Sequence, residues 1–427
     1  MSAERVIEAP PNGSHYQTPD QDTRRATISE VMEDLEQRYD KSGQPVGPAR
    51  TLLNLDVIIK RDMWYRSRLR RNGLSESVEW EGTLLRDEDI TRVRLCVARD
   101  YGLQYSMEDM HAVLAQTAWE MTYHPVVRYL QGVLWDEEPR IDRFLVDYLG
   151  VADSPLVRAI SRRWFVSCVA RAFGKGEKPV KVDTVLILAG KQGAKKSTAF
   201  RALASSPWFS DTALDLRSKD AYQAIRGVWI YELAELAATR PRDAETVKAF
   251  LSAPTDKFRP PYGRTVISSH RQCVFVGTTN EASFLRDATG ARRFWPVSVG
   301  EIDVDAIRRD RDLLWAEAME AYRAGEAWWL TAEEDERLRE SQEQYQHEDP
   351  WEVAVSEWLT KIENVKAARK GVRIGEMLTH CLQMDKDRQG KHDEMRMGGV
   401  LQSLGWEKCR DRRDGRRVVV WRLTESE

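Results

Sequence analysis

Cysteine is scarce and scattered: the five residues Cys96, Cys168, Cys273, Cys381 and Cys409 form no C-x-x-C pair. That excludes a zinc-finger cluster and a disulfide framework and fits a reducing compartment. Long apolar runs are missing too. None approaches the roughly 20 residues that span a bilayer, because charges interrupt each one, so no membrane segment is expected. The opening MSAERVIEAPPNGSHYQTPDQDTRR lacks the apolar stretch of a secretory signal and reads as a polar tail, which points to the cytoplasm. Charge of one sign is also lacking: 65 basic residues against 68 acidic ones leave a formal net charge of −3. No global basic field attracts nucleic acid, and any such contact must come from local patches. Internal repeats at solenoid periods are absent as well.

What is present suffices for two or three cores: 427 residues, 42% of them hydrophobic. Residues 1–50 read as a mobile N-terminal tail with a short helix over 27–39. Residues 51–115 read as a small α/β domain around the Asn72-Gly73 turn pair. Residues 116–178 are spaced helically and broken by Pro125 and Pro139, and GKGEKPVKVD marks a boundary. In 179–330, the runs VLILAG, GVWIYE and CVFVGTTN are short, apolar and separated by helical stretches. This predicts an α/β core with a mostly parallel sheet and crossover helices. Residues 331–350 form a charged linker, and a last unit covers 351–427.

The stretch VLILAGKQGAKKSTAF carries the first chemistry. Residues 190–197 follow the phosphate-loop spacing G-x-x-x-x-G-K-[ST] except that Lys195 stands where the second glycine belongs. Backbone amides around Gly190, Gln192, Gly193, Ala194 and Lys195 can face phosphate oxygens. Lys196 would reach the β- and γ-phosphates, the Ser197 hydroxyl would ligate Mg²⁺, and Thr198 is a spare hydroxyl. The missing glycine matters only if position 195 needs φ > 0 or if a Cβ would strike phosphate; a lysine at φ < 0 is tolerable. The plainer alternative is a glycine-rich turn capped by lysines.

The next strand ends in Glu232, with Glu235 three residues later. One carboxylate can hold the water shell of Mg²⁺ while the other activates the attacking water, in an order the sequence leaves open. Alternatively both merely favour a helix dipole. Asn280 closes a third strand, beside the γ-phosphate and lytic water, unless it only caps a turn. Arg292 and Arg293 precede Phe294. They serve packing or surface charge, or project an arginine into a neighbouring subunit's site.

At the C-terminus, Asp414-Gly415 is a two-residue turn signal between alternating strands. Arg410, Arg412, Arg413, Arg416, Arg417 and Arg422 crowd around it. Helix plus hairpin resembles a winged helix whose wing tracks phosphates. The rival is an edge hairpin that uses charge to prevent aggregation. Most of the fifteen tryptophans have apolar neighbours, as in Trp164-Phe165 and Trp328-Trp329, and read as core rather than as base-stacking platforms. His124 before Pro125 reads as structural.

Taken together, YHPVVRYLQGVLWDEEPRID, WFSD, SKDAYQAIRGVWIYELAEL, VKAFLSAPTDKFRPPYGR, RQCVFVGTTN and DATGARRFWPV make the sequence resemble the virulence-associated E family of phages, prophages and mobile islands. That family is itself similar to superfamily-3 helicases among the AAA+ ATPases. The resemblance runs from about residue 52 to 421. It implies that Lys196 and Ser197 are Walker A, Glu232 and Glu235 the Walker B region, Asn280 sensor 1, and Arg293 the arginine finger, with Arg292 beside it. TDKFRPPYGR occupies the place of a hairpin that faces the DNA channel, which makes Lys257, Arg259 and Arg264 candidate DNA or subunit contacts. Alternatively Arg259 and Arg264 pair with Asp256 and stiffen the turn. Two positions depart from the family pattern: Lys195, and Glu137 in Trp135-Asp-Glu137, where a glycine is usual.

The resemblance implies ATP and Mg²⁺ as ligands, a homo-oligomeric ring (hexameric by analogy), single-stranded or forked DNA, and the cytoplasm of a bacterial host. No priming domain or zinc-binding primase segment is visible, so a separate primase or polymerase would supply primers. Two other readings stand beside a DNA helicase: an ATPase that loads or remodels replication proteins without unwinding, and a DNA-binding regulator with an ATP switch.

Overall fold

Val185–Ala189 is apolar and buried at every position. A strand buried on both faces belongs in the interior of a parallel sheet rather than at a wet surface. In the computed structural model it is β1 of five strands, followed by β2 (Phe209–Ser210), β3 (Ile230–Ala234), β4 (Val274–Thr279) and β5 (Phe294–Ser298). Their spatial order is β5-β1-β4-β3-β2, and every pairing is parallel. Residues 21–174, 178–215, 218, 221–234, 244–258, 267–280, 291–342, 350–413 and 416–423 are described.

Register decides what shares the carboxyl edge. Thr279 of β4 pairs with Ala189 of β1, and Thr278 pairs with Ala234 of β3. The ends of β1, β4 and β3 therefore emerge together. β2 follows β1 in the chain yet is separated from it by two strands, while β5 flanks β1 on its other side. Such a reversal of strand order is where open α/β sheets place their ligands.

The core beside this sheet is aromatic. Helix Pro155–Phe173 starts with Ser154 accepting from the Val157 amide and with proline in the first turn. From Trp164 to Ala172 every one of its residues is buried. Trp229 packs at a tilt against Trp315 of helix Val304–Arg323 with ring centroids 4.3 Å apart. Both indoles donate to carbonyls: Trp315 to Leu203 at 2.9 Å and Trp229 to Cys168 at 3.0 Å. Trp164 and Trp295 are buried too, whereas Trp119 and Trp329 are exposed, so the tryptophan pair at 328–329 is only partly core. Pro125 opens a helix, Pro125–Gly132, with His124 as its N-cap.

In the N-terminal part, the helix expected over 27–39 instead runs Gln21–Glu33, and the chain turns into a strand, Gln37–Tyr39, paired with Pro45–Pro48. Arg24 ties that helix to Asp62 and Asp100 at 2.5 and 2.6 Å. Asp62 is fully buried and also accepts from the Tyr101 hydroxyl at 2.8 Å. A four-stranded sheet (Leu69–Asn72, Ser77–Trp80, Thr83–Leu84, Thr122–Tyr123) shares a core with helices Leu52–Arg61, Asp87–Tyr101 and Met107–Glu120. Its turn residue Glu76 accepts from Arg226 and Ser269.

A second compact unit contains helices Pro350–Trp358, Ile362–Lys370, Ile374–His380 and Lys391–Ser403, then the antiparallel hairpin Trp406–Arg413 and Arg416–Leu423. Val372 bridges Trp421 as a third, one-residue strand. Trp406, Trp421, Met377 and Leu401 form its core. Among the described residues, no helix is long and apolar enough to cross a membrane.

Candidate functional site

Between the end of β1 and helix α1 (Lys196–Ala204) lies the loop 190–195. Gly190 donates to the Thr279 carbonyl at 3.1 Å, and a Cβ there would lie 2.8 Å from Val299 Cγ2. Close approach of the β5 extension therefore demands glycine at 190. Gly193 sits at φ 82°. Lys195, the N-cap of α1, sits at φ 61° and ψ 23°. The condition under which the missing glycine matters is thus met: position 195 is left-handed, the conformation glycine adopts freely and a lysine adopts under strain. Glu137, the other departure from glycine, is left-handed as well, at φ 69°.

The first turn of α1 delivers Lys196 into the loop's own concavity. Its ammonium donates to the carbonyls of Gly190 (2.8 Å) and Lys191 (2.9 Å) and to Asn280 Oδ1 (2.9 Å). Three protons meet three acceptors, so the buried charge is fully solvated by protein. Burial pulls its pKa below the ordinary lysine value, against the opposing attraction of the Glu232 carboxylate. A ligand with phosphate oxygens is the natural replacement for such carbonyls.

Ser197 Oγ donates to Glu232 Oε1 at 2.7 Å, and Thr278 Oγ1 donates to the same oxygen at 2.5 Å. Glu232 is 2% exposed, yet its Oε2 has no hydrogen-bond partner among the described residues. This donor set suits a hard divalent cation. The Ser197 oxygen keeps lone pairs after giving its one proton away, and the second Glu232 oxygen is open. Among the described residues, no group of three or more His, Cys, Asp or Glu could hold a metal. Ser197 and Glu232 fit a cation that takes its further ligands from phosphate oxygens.

The remaining predicted residues scatter. Thr198 lies half-buried in the first turn of α1, and Gln192 is exposed in the loop. Glu235 lies outside the described residues. Arg293 precedes Phe294, which pairs with Val185, the first residue of β1. It therefore lies at the opposite edge of the sheet from the loop, about 13 Å away by strand rise. There its Nε donates to Ser252 Oγ at 2.9 Å and faces Asp183 at 3.8 Å. Arg292 is exposed and acts electrostatically on Asp335.

Lys257 is exposed on the strand Thr255–Phe258, paired with Ile267–His270. Arg259 and Arg264 lie outside the described residues, but Asp256, their suggested partner, is buried and held by Arg271 at 2.5 Å. Arg412, Arg413, Arg416 and Arg417 lie on the hairpin backbone, Arg413 paired with Arg416 and Arg412 with Arg417. The sequence reading missed Thr278. Its signal was parity: it lies two residues before Asn280 on a strand, where alternate residues share a face.

A family model described as "Virulence-associated protein E-like domain" matches residues 130–347. Among solved structures, the apo NrS-1 C-terminal region is similar at 12% identity and a TM-score of 0.43, covering 82% of this chain and 95% of that one. A Thermotoga maritima RuvB mutant is similar at 13% identity and a TM-score of 0.23, covering 61% and 91%. No curated protein sequence matches the chain.

Proposed function

The chain belongs to the virulence-associated protein E-like family, and from that premise we propose that it is an ATP-hydrolysing replication protein of a phage or mobile element, working on DNA as a ring. The observation that carries this reading is the convergence of Lys196, Ser197, Glu232 and Asn280 where β1, β3 and β4 end. In this reading the loop amides and Lys196 bind the phosphates, and Lys196 exchanges protein carbonyls for phosphate oxygens. Ser197 and Glu232 would hold Mg²⁺, which would supply neutralisation of the phosphate charge. Because Glu232 touches Ser197, it takes the metal side, and the water-activating role falls to Glu235. Asn280, leaving Lys196, orients the attacking water.

The position of Arg293 at the far edge of the sheet favours service to a neighbour's site over its own. Arg292 stands beside it. Lys257, Arg259 and Arg264 contact DNA in the channel. The order helix, one-residue strand, two helices, hairpin supports a winged-helix reading of the second unit, with Arg412, Arg413, Arg416 and Arg417 tracking phosphates.

The test is ATP hydrolysis with and without single-stranded DNA, plus strand displacement on a forked duplex. The wild type hydrolyses ATP, DNA stimulates it, and Lys196→Ala lowers the rate by about 10²- to 10³-fold. Stimulated hydrolysis without displacement would favour a loading or remodelling ATPase. DNA binding without hydrolysis would favour the regulator, and loss of Mg-ATP binding altogether would remove the motor reading.

A further inference from the structure

Two hydroxyls converge on one oxygen of a buried carboxylate and leave the other with nothing. Ser197 and Thr278 both donate to Glu232 Oε1, at 2.7 and 2.5 Å, while Oε2 accepts no hydrogen bond from the described residues. A carboxylate serving packing alone would have both oxygens satisfied, because a buried acceptor without a donor is costly. The asymmetry is set by register. Val276 of β4 pairs with Glu232 and Thr278 with Ala234, so Thr278 stands two residues beyond the level of Glu232 toward the carboxyl edge, on the same face.

We propose that Thr278 is a positioning residue that pins Glu232 through Oε1 and so holds Oε2 toward the divalent cation that accompanies the nucleotide. The inference rests on the nucleotide-binding reading above. Ser197 contributes to the same pin, but its own oxygen would be engaged with the cation once nucleotide binds. Thr278 gives its one proton to Glu232 and acts through that carboxylate. Partners of this kind behind a metal-binding group change metal affinity by about 10- to 100-fold when removed. The pin is a charge-assisted hydrogen bond, and valine has the shape of threonine without the hydroxyl.

The experiment uses the full chain, a fluorescent ATP analogue and a Mg²⁺ titration, repeated in EDTA. Thr278→Val should raise the Mg²⁺ concentration for half-maximal nucleotide binding about 10- to 100-fold while leaving the metal-free affinity measured in EDTA unchanged. Thr278→Ser, which restores a hydroxyl, should return the Mg²⁺ dependence close to wild type. A wild-type Mg²⁺ dependence in Thr278→Val would overturn the inference. Equal loss of metal-dependent and metal-free binding would also overturn it, by making the hydroxyl a purely structural group. If the wild type bound the analogue in neither buffer, the nucleotide reading itself would fall, an outcome distinct from both.

Discussion

Lys195 offers the sharpest test of how this loop is built. It holds φ 61° and ψ 23°, a conformation that strains a residue with a Cβ by about 1–2 kcal/mol. Its side chain is exposed, so little packing offsets that strain. Lys195→Gly removes the strain but gives the unfolded chain more freedom, which costs about 0.4–1 kcal/mol. The balance is a folded state more stable by roughly 0–1.5 kcal/mol. Gly193→Ala is the mirror experiment. At φ 82°, with no atom within 4 Å of an added Cβ, it adds torsional strain and no clash, so it should destabilise by a similar amount. Urea unfolding, monitored by tryptophan fluorescence, measures both. A third variant, Lys195→Met, keeps the strain and removes the charge, which separates the two effects in nucleotide binding. If Met and Gly weaken binding equally, the cation is used; if neither does, it is not. A loss of more than about 1 kcal/mol in Lys195→Gly would refute the strain argument.

Two further outcomes follow from the same geometry. His124 Nδ1 accepts the Val127 amide at 3.2 Å, so its Nε2 carries the proton and donates to Gln272 Oε1 at 2.7 Å. Burial holds its pKa below the ordinary 6.5. The unfolded chain therefore takes up a proton that the folded state refuses. The contribution is intact above pH 6.5 and is lost as pH falls from there toward the folded pKa. His124→Asn keeps an N-cap acceptor without titrating, and it should flatten the fall in unfolding stability between about pH 7 and 5. An unchanged slope would exclude His124 as its source. Arg293→Ala should bind nucleotide normally and hydrolyse it about 10³-fold more slowly. Mixing it with Lys196→Ala should restore part of the activity in shared rings. Normal turnover by the Arg293 variant alone would refute service in trans.

Much of the α/β core was legible because burial on both faces leaves a plain trace. Val185–Ala189 is apolar throughout, and short apolar runs alternating with helical stretches announce parallel strands. Helix ends were less legible. The first helix lies six residues earlier than its apolar spacing suggested, since Arg24 anchors it to Asp62 and Asp100, partners 38 and 76 residues away. Asp256 shows the same limit. Nearby arginines looked like its partners, but the buried Arg271 on the far side of the hairpin holds it.

Local chemistry, then, was written in the chain: the glycine and lysine spacing of the loop and the amide that closes one strand, whereas the carboxylate expected to end another, Glu232, sits at the middle of Ile230–Ala234. Those features depend on neighbours within a few residues, where spacing alone sets geometry. The φ of Lys195, the convergence of Ser197 and Thr278 on one oxygen of Glu232, and the separation of Arg293 from the loop belong to the folded state. They follow from strand order and register, which bring residues 84 positions apart to one edge and carry others to the opposite one. Such long-range pairing is selected by the packing of the whole core, and no short stretch contains it.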